Sequence, residues 1–245
     1  MGAMKEMAEE QAQEIGKAQS FPIIMRERLM QAQDQIMAAL PDRIDAERFT
    51  MVALTAITLN EGLRECTPAS IFLAVMECAR LGLYPDNTEA TIVPFRVKQR
   101  DGSYKTVAEL IPMVQGVIRL IRRSREVAKI EARVVHEGDE FTYHYGLEPN
   151  LVNVPKSMTG PITHAYAVVW WKDPAAGKTF EVMGREELDL VRSMSRAKDS
   201  PAYTHYGGEM DRRTVVKRLG KYVDLAPEAQ KLIQWDHAVY GDASI

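Results

Sequence analysis

The residue types that could break or make bonds come first, because their spacing decides whether an enzyme is on the page. Gly177-Lys178-Thr179 has the ending of a phosphate-binding loop, but that motif needs a glycine five residues before its last one, and position 172 is lysine. The triplet also falls between two strand-like runs rather than between a strand and a helix. Pro85-Asp86 could open a metal-nuclease site, yet the chain holds no Asp/Glu-x-Lys triplet to complete one. The five histidines, His136, His144, His164, His205 and His237, form no ligand pair with a CxxC, so zinc is not indicated. Neither a GxSxG elbow nor a glycine-rich dinucleotide fingerprint is present. The expectation is a protein without a recognisable catalytic site.

Positive charge on helical spacing remains. The chain is 245 residues long with a net charge of −3, which taken alone argues against a nucleic-acid binder. The distribution reverses that argument. Between Ile111 and Val135 six Arg/Lys face two Glu, and between Arg185 and Lys221 nine face six acidic residues, so two basic segments sit on an acidic body. In the first, Gln115, Arg119 and Arg122 or Arg123 fall on one helix face, with Val117, Ile118, Leu120 and Ile121 on the other. In the second, Arg213, Lys217 and Lys221 recur every four residues, flanked by Arg212 and Arg218. There Met210, Val215, Val216, Leu219 and Val223 are expected to point inward. Cations about 6 Å apart along a helix can track a phosphate backbone; the alternative is an ordinary solvated face. Arg96, Lys98, Arg100 and Lys105 on a hairpin, Lys129 on a strand, and Arg192, Arg196 and Lys198 complete the candidate DNA contacts.

The elements that must position these groups are read from periodicity and punctuation. A first helix spans about Ile24 to Leu40 and stops before Pro41. A second starts near Asp45 with Phe49, Val52, Ala53, Ala56 and Ile57 at helical spacing. A third is capped by Thr67, carries Pro68 in its first turn and ends at Gly82. Two strand-like runs then flank Asp101-Gly102, a hairpin signal, with Pro94 and Pro112 marking edges or bends. The short basic helix, about Gln115 to Arg125, follows. Strands are expected at Lys129 to His136, Glu140 to Tyr145, Ile162 to Trp171 and Lys178 to Met183. Helices follow at Arg185 to Met194, Tyr206 to Val223 and after Pro227. The fold class is therefore α+β, with a helical N-terminal segment, a central antiparallel hairpin and sheet with a short basic helix, and C-terminal helices. The organisation expected is a flexible tail at 1–22, a single core domain at 23–225, and a C-terminal helix with a short tail at 226–245. Cys66 and Cys78 sit among apolar neighbours and read as small core residues. No apolar run reaches the ~20 residues of a membrane helix, and the polar opening lacks the apolar stretch of a secretory signal, so a cytoplasmic location is expected.

The order of motifs resembles the RecT family of phage single-strand annealing proteins. The family's GLEPG block followed by an IPY strand is similar to Gly82-Leu83-Tyr84-Pro85-Asp86 and Val93-Pro94-Phe95. Its GYKG block, apolar helix and RRSG resemble Met113-Val114-Gln115-Gly116 and Arg122-Arg123-Ser124-Arg125. The D-x-F-x-Y block is Asp139, Phe141 and Tyr143, with Gly146 and Pro155 downstream. The closing block reads Tyr203, Met210, Arg213-Thr214-Val215, Lys217-Arg218-Leu219 and Lys221. Gln115 stands where the family has lysine, Arg125 where it has glycine, Tyr203 where it has tryptophan, and Arg213 where it has lysine.

The resemblance implies ATP-independent binding of single-stranded DNA and annealing of complementary strands in a bacterial host cell. It implies rings or filaments, no required cofactor with magnesium as the ion the family tends to use, and a phage exonuclease and a host single-strand binding protein as partners. A groove lined by the hairpin and the two basic helices would hold one strand, and the N-terminal apolar helices would form subunit contacts. Phe95, Tyr104 and Tyr203 are the aromatic groups nearest the basic ones. Trp170 and Trp171, adjacent on a strand, face opposite sides. Asp139 could orient an arginine or bind magnesium. A passive single-strand coating protein, or a structural phage oligomer that uses its basic helices for assembly, would share these features.

Overall fold

The computed structural model describes residues 21–99, 101–156, 159–195, 198, 203–204, 206–225, 227 and 229–230. Arg100, Arg196, the tail at 1–20 and most of the segment after Leu225 lie outside the described residues. The chain divides into two compact units between Gly116 and Val117.

The first unit opens with α1 (21–31) and α2 (Gln33–Ala39). A single helix was expected here. The chain instead turns at Ala32, while Ala32 N still donates to Arg28 O and Ile36 N to Ala32 O, so the axis is interrupted without losing its bonding. In α3 (Ala46–Leu59) the Asp45 carboxylate caps the helix by accepting from Arg48 N at 2.7 Å, and Phe49, Ala53 and Ile57 form the buried stripe. After a 3-10 turn at Glu61–Glu65 comes α4 (Pro68–Leu81). Thr67 caps it, Pro68 opens it, and Gly82 closes it in the left-handed region at φ 58°. A Cβ on Gly82 would also meet Pro41 at 2.8 Å, so both backbone and packing require glycine there. Cys66 and Cys78 are buried free thiols; burial pushes Cys66 up to about 11 and Cys78 further, which makes both inert.

Between α4 and the hairpin, Asp86 accepts from Thr88 N and Glu89 N, and Glu89 accepts from Tyr84 N. Asp86 therefore shapes a loop. The hairpin is β1 (Ala90–Lys98) and β2 (Tyr104–Pro112), antiparallel and in unbroken register from Ala90 opposite Pro112 to Lys98 opposite Tyr104. A two-stranded sheet has only edges, which accommodates Pro94 within it. Its base is buried through Ala90, Ile92, Ala108 and Leu110, and Ser70 Oγ accepts from Ala108 N at 3.0 Å to fix it to α4. Its tip is exposed.

Helix α5 (Val114–Arg122) crosses the division between the units. In the second unit a three-stranded antiparallel sheet runs in the order β3 (Val127–His136), β6 (Ile162–Trp171), β7 (Lys178–Gly184). A separate hairpin, β4 (Glu140–His144) and β5 (Asn150–Val154), pairs antiparallel. The sequence periodicity does not announce β5, which follows Pro149 directly and turns Val152 and Val154 outward. The helices α6 (Arg185–Met194) and α7 (Gly207–Gly220) close the unit.

The alternation of β6 separates its faces. Ala165, Ala167 and Val169 are buried on the face that α7 covers, while Tyr166, Val168 and Trp170 lie on the other. There Phe141 stacks on Tyr166 with centroids 5.7 Å apart, and Tyr145 stacks on Phe180 at 5.1 Å. The Tyr145 hydroxyl accepts from Val182 N at 3.0 Å. Helices and antiparallel strands are segregated along the chain, an α+β architecture.

Candidate nucleic-acid interface

The hairpin tip gathers cations with little to neutralise them. Arg96, Lys98 and Lys105 are exposed, and among the described residues none has a carboxylate partner. The Asp101 carboxylate beside them accepts from Ser103 N at 2.9 Å and Ser103 Oγ at 2.6 Å, and these hydrogen bonds hold it below the usual carboxylate range. Arg96 lies over the exposed Tyr104 ring at 4.5 Å. The tip thus presents Arg96 and Lys98 on the same face as the accessible Tyr104 ring and Lys105, opposite Val97, on the other face, while Phe95 is half-buried.

Helix α5 has the two sides expected of it. Val117, Leu120 and Ile121 are buried, Gln115 and Arg122 are exposed, and Arg119 and Arg123 are half-exposed. Its start is fixed by a close approach: a Cβ on Gly116 would fall 2.0 Å from the Glu89 carbonyl oxygen, which also accepts from Met113 N at 2.9 Å. Glycine at that position lets the helix begin against the loop that follows α4.

The second basic helix differs from its expected orientation. The apolar residues Met210, Val215, Val216 and Leu219 are buried as foreseen, but α7 is enclosed on more than one side, and Arg213 is only 4% exposed. Burial, reinforced by the charges of Arg213 and Lys221, holds the Lys217 ammonium well below the ordinary lysine range. Arg218 bonds Glu187 at 2.6 Å and Glu181 at 3.3 Å, and Arg212 bonds Glu209. Arg185, not singled out from sequence, forks onto Asp211 at 2.8 and 3.2 Å and reaches Asp189 at 2.9 Å. The arginines at 185 and 218 therefore tie α7 to α6 and β7. Lys221, directly after this helix, is the exposed candidate. Arg192 lies over the buried Tyr203 ring at 5.3 Å and donates to Lys198 O, and Lys198 is exposed.

Lys129 is exposed but bonds Glu131 at 2.8 Å and lies 4.9 Å over the Trp170 ring. The exposed bases Arg125, Arg133, Lys172 and Lys178 were not among the sequence candidates. Alternation along β3 was the signal that could have placed Arg133 outward. Asp139 accepts from His136 N at 2.9 Å and Lys156 N at 2.8 Å, joining the β3–β4 turn to the chain after β5. Among the described residues, no group of three or more His, Cys, Asp or Glu could hold a metal ion. No helix of the described residues is long and apolar enough to cross a membrane.

These features belong to a known lineage. The sequence model of the RecT family matches residues 47–238. Protein RecT of Escherichia coli (strain K12) is 38% identical over 206 residues, covering 83% of this chain and 76% of that protein. The chain belongs to the RecT family, the single-strand annealing proteins of DNA recombination.

Proposed function

We propose that the protein binds single-stranded DNA and anneals complementary strands without ATP, working as an oligomer. The observation that carries this reading, beside family membership, is the exposed hairpin tip, with Arg96 and Lys98 on one face beside Tyr104, Lys105 on the other, and the turn carboxylate of Asp101 engaged by Ser103. Such a surface neutralises backbone phosphates without gripping base edges. The bases stay free to test a second strand, and pairing supplies both specificity and free energy. Gln115, Arg119, Arg122 and Arg123 on α5, Lys198, and Lys221 after α7 extend the phosphate-binding set, each on its own unit. Arg213, Lys217 and Arg218 act through the position of α7.

Assembly is supported by Ile23, Met30 and Met37, seven residues apart on α1 and α2 and each more than half exposed. Subunits joined along one strand would add many weak contacts into one strong one. Magnesium acts in this reading as a counterion of the phosphates, and a phage exonuclease and a host single-strand binding protein in the bacterial cytoplasm are the partners. The test is pairing of two complementary dye-labelled oligonucleotides without nucleotide, at low and moderate salt, with and without magnesium. Faster pairing than in the protein-free control is expected. Binding without acceleration would leave a coating protein, and absence of binding would assign the cations to assembly.

A further inference from the structure

The outward face of the three-stranded sheet carries a row that the reading above does not use. Lys129 on β3 pairs with Trp170 on β6, and Trp170 pairs with Lys178 on β7, so an indole lies between two lysines directly across the sheet. Rings of the β4–β5 hairpin cover the neighbouring positions, Phe141 on Tyr166 and Tyr145 on Phe180. Among the described residues no aromatic ring stacks on Trp170; its ring partner is the Lys129 ammonium at 4.9 Å. One side of the indole packs on the Val168, Phe180 and Val182 cluster, and the residue stays partly exposed. Trp171 points the other way and donates from Nε1 to Thr179 Oγ1 at 2.9 Å.

The charges around the row favour an anion. Lys172 and Lys178 are exposed and, among the described residues, have no ion-pair partner. The nearest turn carboxylate, Asp173, accepts from Ala175 N at 2.9 Å. The β6–β7 connection is the short run Lys172-Asp173-Pro174-Ala175-Ala176-Gly177, whose long side chain, that of Lys172, is exposed and cationic. Lys129 is held by Glu131 in a surface pair, with the lysine side chain 56% exposed, a bond that a phosphate can replace. Two strand spacings separate the lysines by about 10 Å at the backbone, enough to place one nucleotide between them.

We infer that the Lys129–Trp170–Lys178 row is a second nucleic-acid contact, which takes a single-stranded segment when the Lys129 ammonium swings off the indole face to a phosphate, so that one base stacks on Trp170 in its place while Lys178 holds the phosphate on the other side. This rests on the DNA-binding reading and adds to it a site on the second unit, separate from the hairpin tip. A duplex, whose bases are already stacked, cannot offer the indole a free face. The site therefore selects single strands, as base stacking on aromatic platforms does.

The chain has three tryptophans, Trp170, Trp171 and Trp235, so Trp171→Phe with Trp235→Phe leaves Trp170 as the sole emitter. That protein is titrated with an oligo-dT strand, following tryptophan emission and, in parallel, the anisotropy of a dye on the DNA. Quenching of Trp170 that saturates with the anisotropy is expected. Binding by anisotropy with unchanged emission would overturn this site alone, and no binding by either would overturn it together with the parent reading. In the otherwise unaltered chain, Trp170→Leu keeps apolar packing but removes the π face. It should weaken single-strand binding about five-fold or more, while Trp170→Phe retains most of it. Lys178→Gln should lower the salt slope by about 0.7, the single-strand value for one phosphate. Equal affinity of the Leu and Phe variants, or an unchanged slope for Lys178→Gln, would count against the row.

Discussion

Replacing Gly116 with alanine sets two physical effects against each other, and their sizes predict the sign. Gly116 lies in the first turn of α5, where alanine is favoured over glycine by about 1 kcal/mol on helix propensity alone. Against that stands the contact. The new Cβ would meet the Glu89 carbonyl oxygen at 2.0 Å and its carbon at 2.9 Å. Glu89 has little room to yield, because its carbonyl accepts from Met113 N and its carboxylate from Tyr84 N. The helix start must move by an ångström or more. Overpacking of this kind costs ~1–3 kcal/mol, and weakening the Met113 bond adds ~0.5–1.5 kcal/mol. The net expectation is a loss of roughly 1–3 kcal/mol, seen as a Tm lower by about 2–12 °C at the few degrees per kcal/mol expected for a chain of this size. Thermal and urea unfolding are the assays. Gly207→Ala is the control, since it also lies in the first turn of a helix and a Cβ there meets nothing within 4 Å. Gly207→Ala should be neutral or stabilising. A Gly116→Ala protein as stable as the parent would refute the packing argument and leave propensity in charge.

Further perturbations separate charges that bind from charges that build. Lys98→Ala and Lys105→Ala should each reduce the salt slope of single-strand binding by about 0.7 with little change in unfolding. Arg218→Ala should keep the slope and lose about 1 kcal/mol of stability, because its bonds to Glu181 and Glu187 are partly screened. Lys217 titrates well below the lysine range in the folded protein, so between its folded pKa and about 10.4 the unfolded chain binds more protons and stability rises with pH. Lys217→Met should therefore show a flatter stability curve than the parent toward alkaline pH in urea unfolding. Asp139→Ala removes the acceptor for two backbone amides and should cost ~1–3 kcal/mol. The magnesium response of strand pairing should stay as in the parent, measured by the dye-pair assay.

Much of the fold was legible because local signals and burial agreed. Asp45, Thr67 and Gly82 each satisfy or release backbone groups at helix ends, and the structure uses all three for that purpose. The bounds of β6 and α6 were readable in the same way. β5 was not, since only Leu151 of its five residues brings an apolar group to the core while both valines face outward; its register comes from β4. The orientation of α7 was lost for a different reason. A period of 3.6 residues says which groups share a face, but on a helix enclosed on more than one side the polar face is not the wet face. Arg213 and Lys217 show the result. On α5 one side is buried and one exposed, and there the same reasoning placed Val117, Leu120 and Ile121 inward and Gln115 and Arg122 outward, with Ile118, Arg119 and Arg123 at the boundary.

The residues that carried the family resemblance are mostly those that build the scaffold. Gly82 ends a helix against Pro41, Gly116 lets α5 start on Glu89, Asp139 ties a turn to the chain after β5, Phe141 fills the space over Tyr166, and Arg218 braces α7. Each depends on partners held in fixed positions, so its type is dictated by geometry, and that makes such positions recognisable as blocks. The exposed cations at 98, 105, 172 and 178 have no such partner among the described residues and fall outside the blocks. A phosphate backbone demands charge at a suitable spacing rather than one residue at one angle. It follows that binding should survive exchange of Lys98 or Lys105 for arginine with an unchanged salt slope, whereas Arg218→Lys, which loses the planar fork between two carboxylates, should lower stability. Apart from Gln115, Arg122, Arg123 and Lys221, the family signature thus reports how the protein is built, and the electrostatics of its open surfaces report what it holds.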